Sequence, residues 1–263
     1  MPEIAVNGTT LAYDDTGPRT GSTLVFSHSL FFNRTMFAPL VAHFADRYRV
    51  ITYDHRGQGE SAPAALPDLS MDVLTEDAAA LIEALDLGRV HFIGNSMGGF
   101  VALRLAARRP DLLRSAVALG SSAEEEHQAV HFAPLLAKMR AEGAAPLVDV
   151  VTYIMFGDTS LASESPMLAE WRAYFAALPE SIADSAHHVI HRDNIVAELA
   201  SVEVPVLAIA GAEDHTYPPP ISSENIASAT GGRHVTVAGA GHSVALEQPA
   251  EVAAHLEKHL SES

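Results

Sequence analysis

The chain has 263 residues, with 16 Lys and Arg against 33 Asp and Glu, a formal charge of −17. That charge disfavours phosphate backbones and anionic lipid, so neither nucleic acid nor membrane is expected as a partner. With 48% apolar and 19% charged residues the chain is too apolar for disorder, and its lack of cysteine excludes disulfides, thiolate nucleophiles and Cys-held metal.

The opening stretch, Met1 to Gly8, has neither a basic nor an apolar signal region, and the apolar runs fall short of the roughly 18 residues that span a bilayer. A cytoplasmic protein is expected. Residues 4–15, with Asn7-Gly8 in the middle, read as an antiparallel hairpin at a sheet edge. Six later runs (23–28, 49–54, 90–94, 115–120, 204–211 and 234–239) each read as a buried strand, and most are apolar without strict alternation, as strands covered on both faces are. Helical patterns separate them. In one of these, Ser70 is the N-cap, Met71, Leu74, Ala78, Leu81, Ile82 and Leu85 share a face, and Gly88 closes the helix. Alternating strand and helix predicts an α/β fold with a mostly parallel sheet.

The alternation stops between residues 121 and 193, where helical stretches are broken by Gly143, Pro146, Gly157, Pro166 and Pro179. That is too long for a loop and predicts an inserted helical cap at 122–193, with the core at 1–121 and 194–263. Glu124-Glu125-Glu126 reads as a solvated helix start, and Pro218-Pro219-Pro220 as the opening of a later helix.

Three blocks carry chemistry. Gly94-Asn95-Ser96-Met97-Gly98 lies between a strand and a helix, where small neighbours permit a strained turn that exposes the Ser96 oxygen. A serine hydroxyl needs an adjacent base, and the base an orienting acid. Asp214 and His242 each follow a strand end, at the sheet edge where open α/β sheets bind ligands. Glu213 competes weakly with Asp214, and His215 reads as a loop residue. The other two blocks are Asp54-His55-Arg56-Gly57-Gln58-Gly59-Glu60-Ser61 and Phe26-Ser27-His28-Ser29-Leu30.

In this order the motifs resemble those of the α/β-hydrolase superfamily, over essentially the whole chain outside the insertion. The resemblance implies a triad of Ser96, Asp214 and His242 and makes 54–61 a structural turn. Because the turn holds serine and not aspartate, dehalogenase- and epoxide-hydrolase-like activities are not expected. His28-Ser29-Leu30 departs from the common His-Gly and is similar to the Asn-Ser-Leu of enol-lactonases. By that likeness the backbone N–H groups of Leu30 and Met97 form the oxyanion hole.

The expected activity is therefore hydrolysis of a carboxylic ester or neutral lactone through an acyl-enzyme, with no cofactor. Alternatives are a 3-oxoadipate enol-lactonase-like hydrolase, a C–C bond hydrolase of ring-cleavage products, and a ligand receptor on a hydrolase scaffold. The oligomeric state stays open. His187, His188 and His191 with Asp193 lack the pattern of a metal site, so no metal is expected. Apolar residues such as Phe31, Phe32, Phe132, Met139, Met155, Trp171 and Phe175 either line an acyl pocket or pack the core. Between residues 121 and 191 the fixed cations are Lys138, Arg140 and Arg172, which points to a neutral substrate; Arg34 is the cation that would reverse this.

Overall fold

The structure, a computed structural model, describes residues 2–163 and 165–263. Its strands are β1 (Glu3–Val6), β2 (Thr9–Thr16), β3 (Thr23–Ser27), β4 (Arg49–Tyr53), β5 (Val90–Asn95), β6 (Leu113–Leu119), β7 (Val206–Gly211) and β8 (Arg233–Val237), in one sheet of order β1-β2-β4-β3-β5-β6-β7-β8. β1 and β2 form the expected edge hairpin, and β2 pairs antiparallel with β4; all later pairings are parallel. At the hairpin turn Asn7 and Gly8 both take positive φ, 43° and 73°, which these two residue types tolerate best.

β3 is flanked by β4 on one side and β5 on the other, so the order of the sheet reverses there. The crevice beyond the carboxyl ends of such strands is where open sheets receive ligands. β3 and β5 are buried throughout and packed on both faces. β8 differs from the sequence expectation of a buried strand. It is the last strand of the sheet, and three of its five residues are exposed.

Helices α1 (Ala38–Phe44), α2 (Met71–Ala84) and α3 (Met97–Arg108) belong to the first half. Ser70 caps α2 by accepting from the Val73 N–H, and the chain leaves the helix through Asp86 and Gly88, both at positive φ. Between β6 and β7 lie α4 (Ala129–Glu142), α5 (Val148–Met155), α6 (Asp158–Leu161), α7 (Pro166–Ala176) and α8 (Ile182–Ile190). Gly143 ends α4, Gly157 precedes α6 and Pro166 opens α7, so these breakers fall at helix boundaries, as their backbone limits require. α4 packs on α8 and α5 on α7. Phe32, which follows β3, packs on α7, its ring 4.6 Å from Trp171 and 5.0 Å from Phe175.

After α9 (Val196–Leu199) and β7 comes α10 (Glu224–Thr230), then α11 (Val244–Glu247) and α12 (Pro249–Ser261). Pro218-Pro219-Pro220 does not open α10, which starts at Glu224. Pro218 and Pro220 accept from Ile221 and Ser223 in turns that precede it. Among the described residues no helix is long and apolar enough to cross a membrane.

Two buried histidines tie the sheet to its surroundings. His91 of β5 bonds Ser115 of β6 at 2.8 Å, and His259 of α12 accepts from Arg233 of β8 at 3.1 Å. Burial, aided by Arg114 and Arg233 respectively, pushes each down to about 4. In the unfolded chain both titrate near ~6.5. Between those values the unfolded chain binds protons that the folded chain does not, so stability is full above the window and lost as pH falls through it. Thermal melts should therefore show Tm dropping from pH 7 to pH 4.5, with a shallower slope in the His91→Asn/His259→Asn variant. A slope identical in the two proteins would contradict the assignment.

Candidate active site

β5 runs directly into the Gly94-to-Gly98 turn, and α3 runs out of it. Ser96 sits at φ 50°, ψ −110°, a strained conformation that costs a non-glycine residue about 1–3 kcal/mol. The strain is held in place by hydrogen bonds. The Ser96 N–H donates to Leu119 at 2.8 Å, and the Ser121 hydroxyl donates to the Ser96 carbonyl at 2.9 Å. A Cβ on Gly94 would strike the Gly98 backbone, one on Gly98 the Ser27 backbone, and one on Gly99 the Ser121 side chain. All three positions therefore require glycine.

Asp214 follows β7 and His242 follows β8. The His242 Nδ1 lies 3.0 Å from one Asp214 oxygen and 3.2 Å from the other. Asp214 also accepts from the Thr216 and Tyr217 N–H groups, at 2.7 and 2.9 Å. His242 is only 1% exposed, and its Nε2 is buried without a hydrogen-bond partner. It lines the same cavity as Ser96, and no bond joins the two directly. Bonds of this kind often tighten only when substrate is bound. Asn95, next to the serine, donates to the His242 carbonyl at 3.0 Å and ties the two loops together. Glu213 points away from this group and accepts twice from Thr159, and His215 stacks on Tyr153.

The segment after β3 is held from below. The His55 N–H donates to His28 Nε2, so His28 carries its proton on Nδ1 and donates to the Ser29 carbonyl at 2.8 Å. Burial holds His28 below the ordinary histidine range and so keeps it neutral. Because the Ser29–Leu30 peptide is trans, pinning that carbonyl turns the Leu30 N–H away from His28. Among the described residues neither the Leu30 nor the Met97 N–H donates to a protein group. Met97 is the first residue of α3, where N–H groups have no intrahelical partner. In the 54–61 turn, Asp54 accepts from the Arg34 and Glu60 N–H groups, and Ser61 bridges the Asp54 carbonyl to the Ala12 N–H.

The cavity has a volume of about 70 Å³ and is lined almost wholly by apolar side chains, among them Leu30, Phe31, Phe132, Leu136, Met139, Val151 and Met155. Phe32, Phe156, Trp171 and Phe175 pack beside it as a buried aromatic cluster. Arg34 does not reach the cavity. Its guanidinium pairs with Asp14, Asp54 and Glu60. The His187–His191 rings stack at 4.1 Å, while His188 bonds the Leu66 carbonyl.

The alpha/beta hydrolase fold, as a sequence family, matches residues 22–249. The chain belongs to this family. It is 32% identical over 200 residues to the carbamate-hydrolase candidate RutD of Pseudomonas syringae, covering 74% of this chain and 77% of that one. It is 30% identical over 207 residues to 3-oxoadipate enol-lactonase 1 of Acinetobacter baylyi, covering 79% and 77%. Among solved structures, the enol-lactonase of Burkholderia xenovorans matches with TM-score 0.91 and 31% identity, over 99% of this chain and 100% of that one.

Three features of this alpha/beta hydrolase escaped the sequence reading. Glu126 does not lie at a solvated helix start, since α4 begins only at Ala129. Its carboxylate is 4% exposed, lines the cavity and pairs with Arg192 at 3.3 Å. Arg192 itself lies one residue beyond 121–191, the stretch whose fixed cations are Lys138, Arg140 and Arg172. The third is Glu247, which accepts from Gly157 (2.8 Å), Ser160 (2.7 Å), Gly241 (2.9 Å) and Ser243 (3.2 Å). One carboxylate thus fastens both neighbours of His242 to the start of α6. Burial pushes its acid up, and the four donors oppose that shift. The available signal was an acid in the otherwise apolar run Val244-Ala245-Leu246.

Removing this acceptor leaves four donors to find new partners, each buried donor costing about 1–3 kcal/mol if it fails. Glu247→Ala should therefore lose more than about 3 kcal/mol in urea unfolding, and Glu247→Gln less. A loss below about 1 kcal/mol in the alanine variant would mean the clamp is dispensable.

Proposed function

We propose that the chain is a serine hydrolase that cleaves neutral carboxylic esters or lactones through an acyl-enzyme. The observation that carries this reading is the Asp214–His242 pair opening onto the same apolar cavity as a serine held in a strained turn. In this mechanism Ser96 Oγ attacks the carbonyl carbon while His242 Nε2 takes its proton. Asp214 orients the imidazole and stabilises the imidazolium that forms. The negative charge on the carbonyl oxygen is met by the Leu30 and Met97 N–H groups, the second at the positive end of α3. The imidazolium then protonates the departing alcohol, and water repeats the sequence to release the acid.

Residues 122–193 form the lid half of this site, and 1–121 with 194–263 form the half that carries the chemistry. Lactone substrates gain weight from the two enol-lactonase relatives and from the His28-Ser29-Leu30 segment. A substrate that bears a carboxylate gains none from the cavity, on whose wall no fixed cation stands among the described residues.

Turnover of 4-nitrophenyl butyrate and of simple lactones tests the proposal. Ser96→Ala should lower kcat by several orders of magnitude, about 10³-fold or more, with an unchanged circular dichroism spectrum. A fluorophosphonate should label one residue, Ser96. Binding without turnover by the unaltered protein would favour a receptor, and near-native turnover by the alanine variant would remove Ser96 as nucleophile.

A further inference from the structure

Among the described residues Glu126 is the one fixed charge on the wall of the cavity that holds Ser96 and His242, and it is negative. Its carboxylate does not stand alone. One oxygen accepts from the Gln128 N–H at 2.9 Å, and the other from the Tyr217 hydroxyl at 2.9 Å and Arg192 Nη1 at 3.3 Å. Arg192 Nη1 also donates to the Tyr217 hydroxyl at 3.0 Å and to the Val189 carbonyl at 2.9 Å. The guanidinium carbon lies 4.3 Å from the Phe100 ring centre and 5.1 Å from that of Tyr217, and Arg192 Nε is buried with no partner. Here is an arginine flanked by two aromatic rings, with a tyrosine hydroxyl beside it. That is the equipment for gripping a carboxylate. The carboxylate it grips is the protein's own.

We propose that Glu126 occupies an anion site built by Arg192 and Tyr217, and thereby makes the cavity reject carboxylate-bearing substrates. The inference rests on the serine-hydrolase reading and sharpens its substrate class to neutral acyl groups. A second carboxylate entering the cavity would face the charge of Glu126 and find the arginine already engaged. Burying it there without a partner is costly, and like charges side by side raise the cost. With Glu126 replaced, the same arginine and tyrosine become available to a substrate carboxylate.

Glu126 and Arg192 also lie at opposite ends of the run of helices α4 to α8, and their ion pair joins those ends. A staple of that kind predicts a loss of stability and no change in substrate preference. Placement of the carboxylate on the wall shared with Ser96 and His242 predicts a change in preference.

The measurement is kcat/KM for 4-nitrophenyl valerate against mono-4-nitrophenyl glutarate, which differ chiefly by a terminal carboxylate. The unaltered protein should prefer the valerate by about a hundredfold. In Glu126→Ala and Glu126→Gln the ratio should move at least about tenfold toward the glutarate, and adding Arg192→Met should abolish the shift. The glutamine variant keeps an acceptor oxygen for Tyr217, which guards against an alanine variant that fails to fold. Equal turnover of both esters by the unaltered protein overturns the proposal, as does an unmoved ratio in a folded variant. If no ester is hydrolysed and no fluorophosphonate label forms, the hydrolase reading fails separately. Calorimetry with glutarate then still decides the anion site, with binding to Glu126→Gln and none to the unaltered protein supporting it and equal behaviour overturning it.

Discussion

Everything at the ligand edge depends on the left-handed turn at Ser96. For that backbone to exist, β5 and α3 must approach so closely that Gly94 cannot carry a side chain, Gly98 must rest on the backbone of β3, and Gly99 must clear Ser121. β3 is therefore brought against the turn by the same contacts that make the turn possible. Its continuation, through Ser29 and Leu30, has no freedom to sit elsewhere. The strain at one residue and the position of the neighbouring loop are thus a single constraint. The helix follows from it as well, because α3 begins at Met97 with its first N–H groups open at the sheet edge.

Around that fixed point the loops are organised by carboxylates turned inward. Asp54 gathers the 54–61 turn and Arg34, Asp214 gathers Thr216, Tyr217 and His242, and Glu247 gathers both neighbours of His242 together with α6. Each uses backbone N–H donors, which cannot swing away as a long side chain can, so each fixes a loop in one conformation. A charged acceptor also makes the stronger class of hydrogen bond. The acidic composition is in this sense partly internal. A share of the −17 charge belongs to groups that position backbone and are not displayed to solvent.

What could be read from the sequence divides along the same physical line. The hairpin at Asn7-Gly8, the Gly94-to-Gly98 turn, the cap at Ser70 and the breakers between helices α4 to α7 all express backbone limits that act within a few residues. A sequence displays such limits openly. Asp214 and His242 were also legible, because each stands just past a strand end, and they meet in the folded chain at 3.0 Å. The rest was hidden by distance along the chain. Glu126 finds Arg192 66 residues away and Tyr217 91 away, and Glu247 finds Gly157 across 90. No spacing rule links such positions, so three adjacent glutamates looked like a solvated run. Edge position misled in the same way, since β8 has strand composition but only one neighbour in the sheet.

Glu126 and Arg192 also bear on why the cavity can be so apolar. An arginine placed alone near a dry, hydrophobic wall would carry a large desolvation penalty, and a lone glutamate likewise. Paired, and bridged by the Tyr217 hydroxyl, the two carry no net charge between them, while a dipole remains. Its negative end lies on the wall and its positive end lies behind, because Glu126 lines the cavity and Arg192 does not. Such a dipole is indifferent to an alkyl chain and repels an anion. Tyr217 adds a second consequence, since its N–H donates to Asp214 and its ring centre lies 5.4 Å from that of His242. The residue that bridges the ion pair is also packed against His242, so the charge pattern of the cavity wall and the placement of the imidazole rest on one side chain.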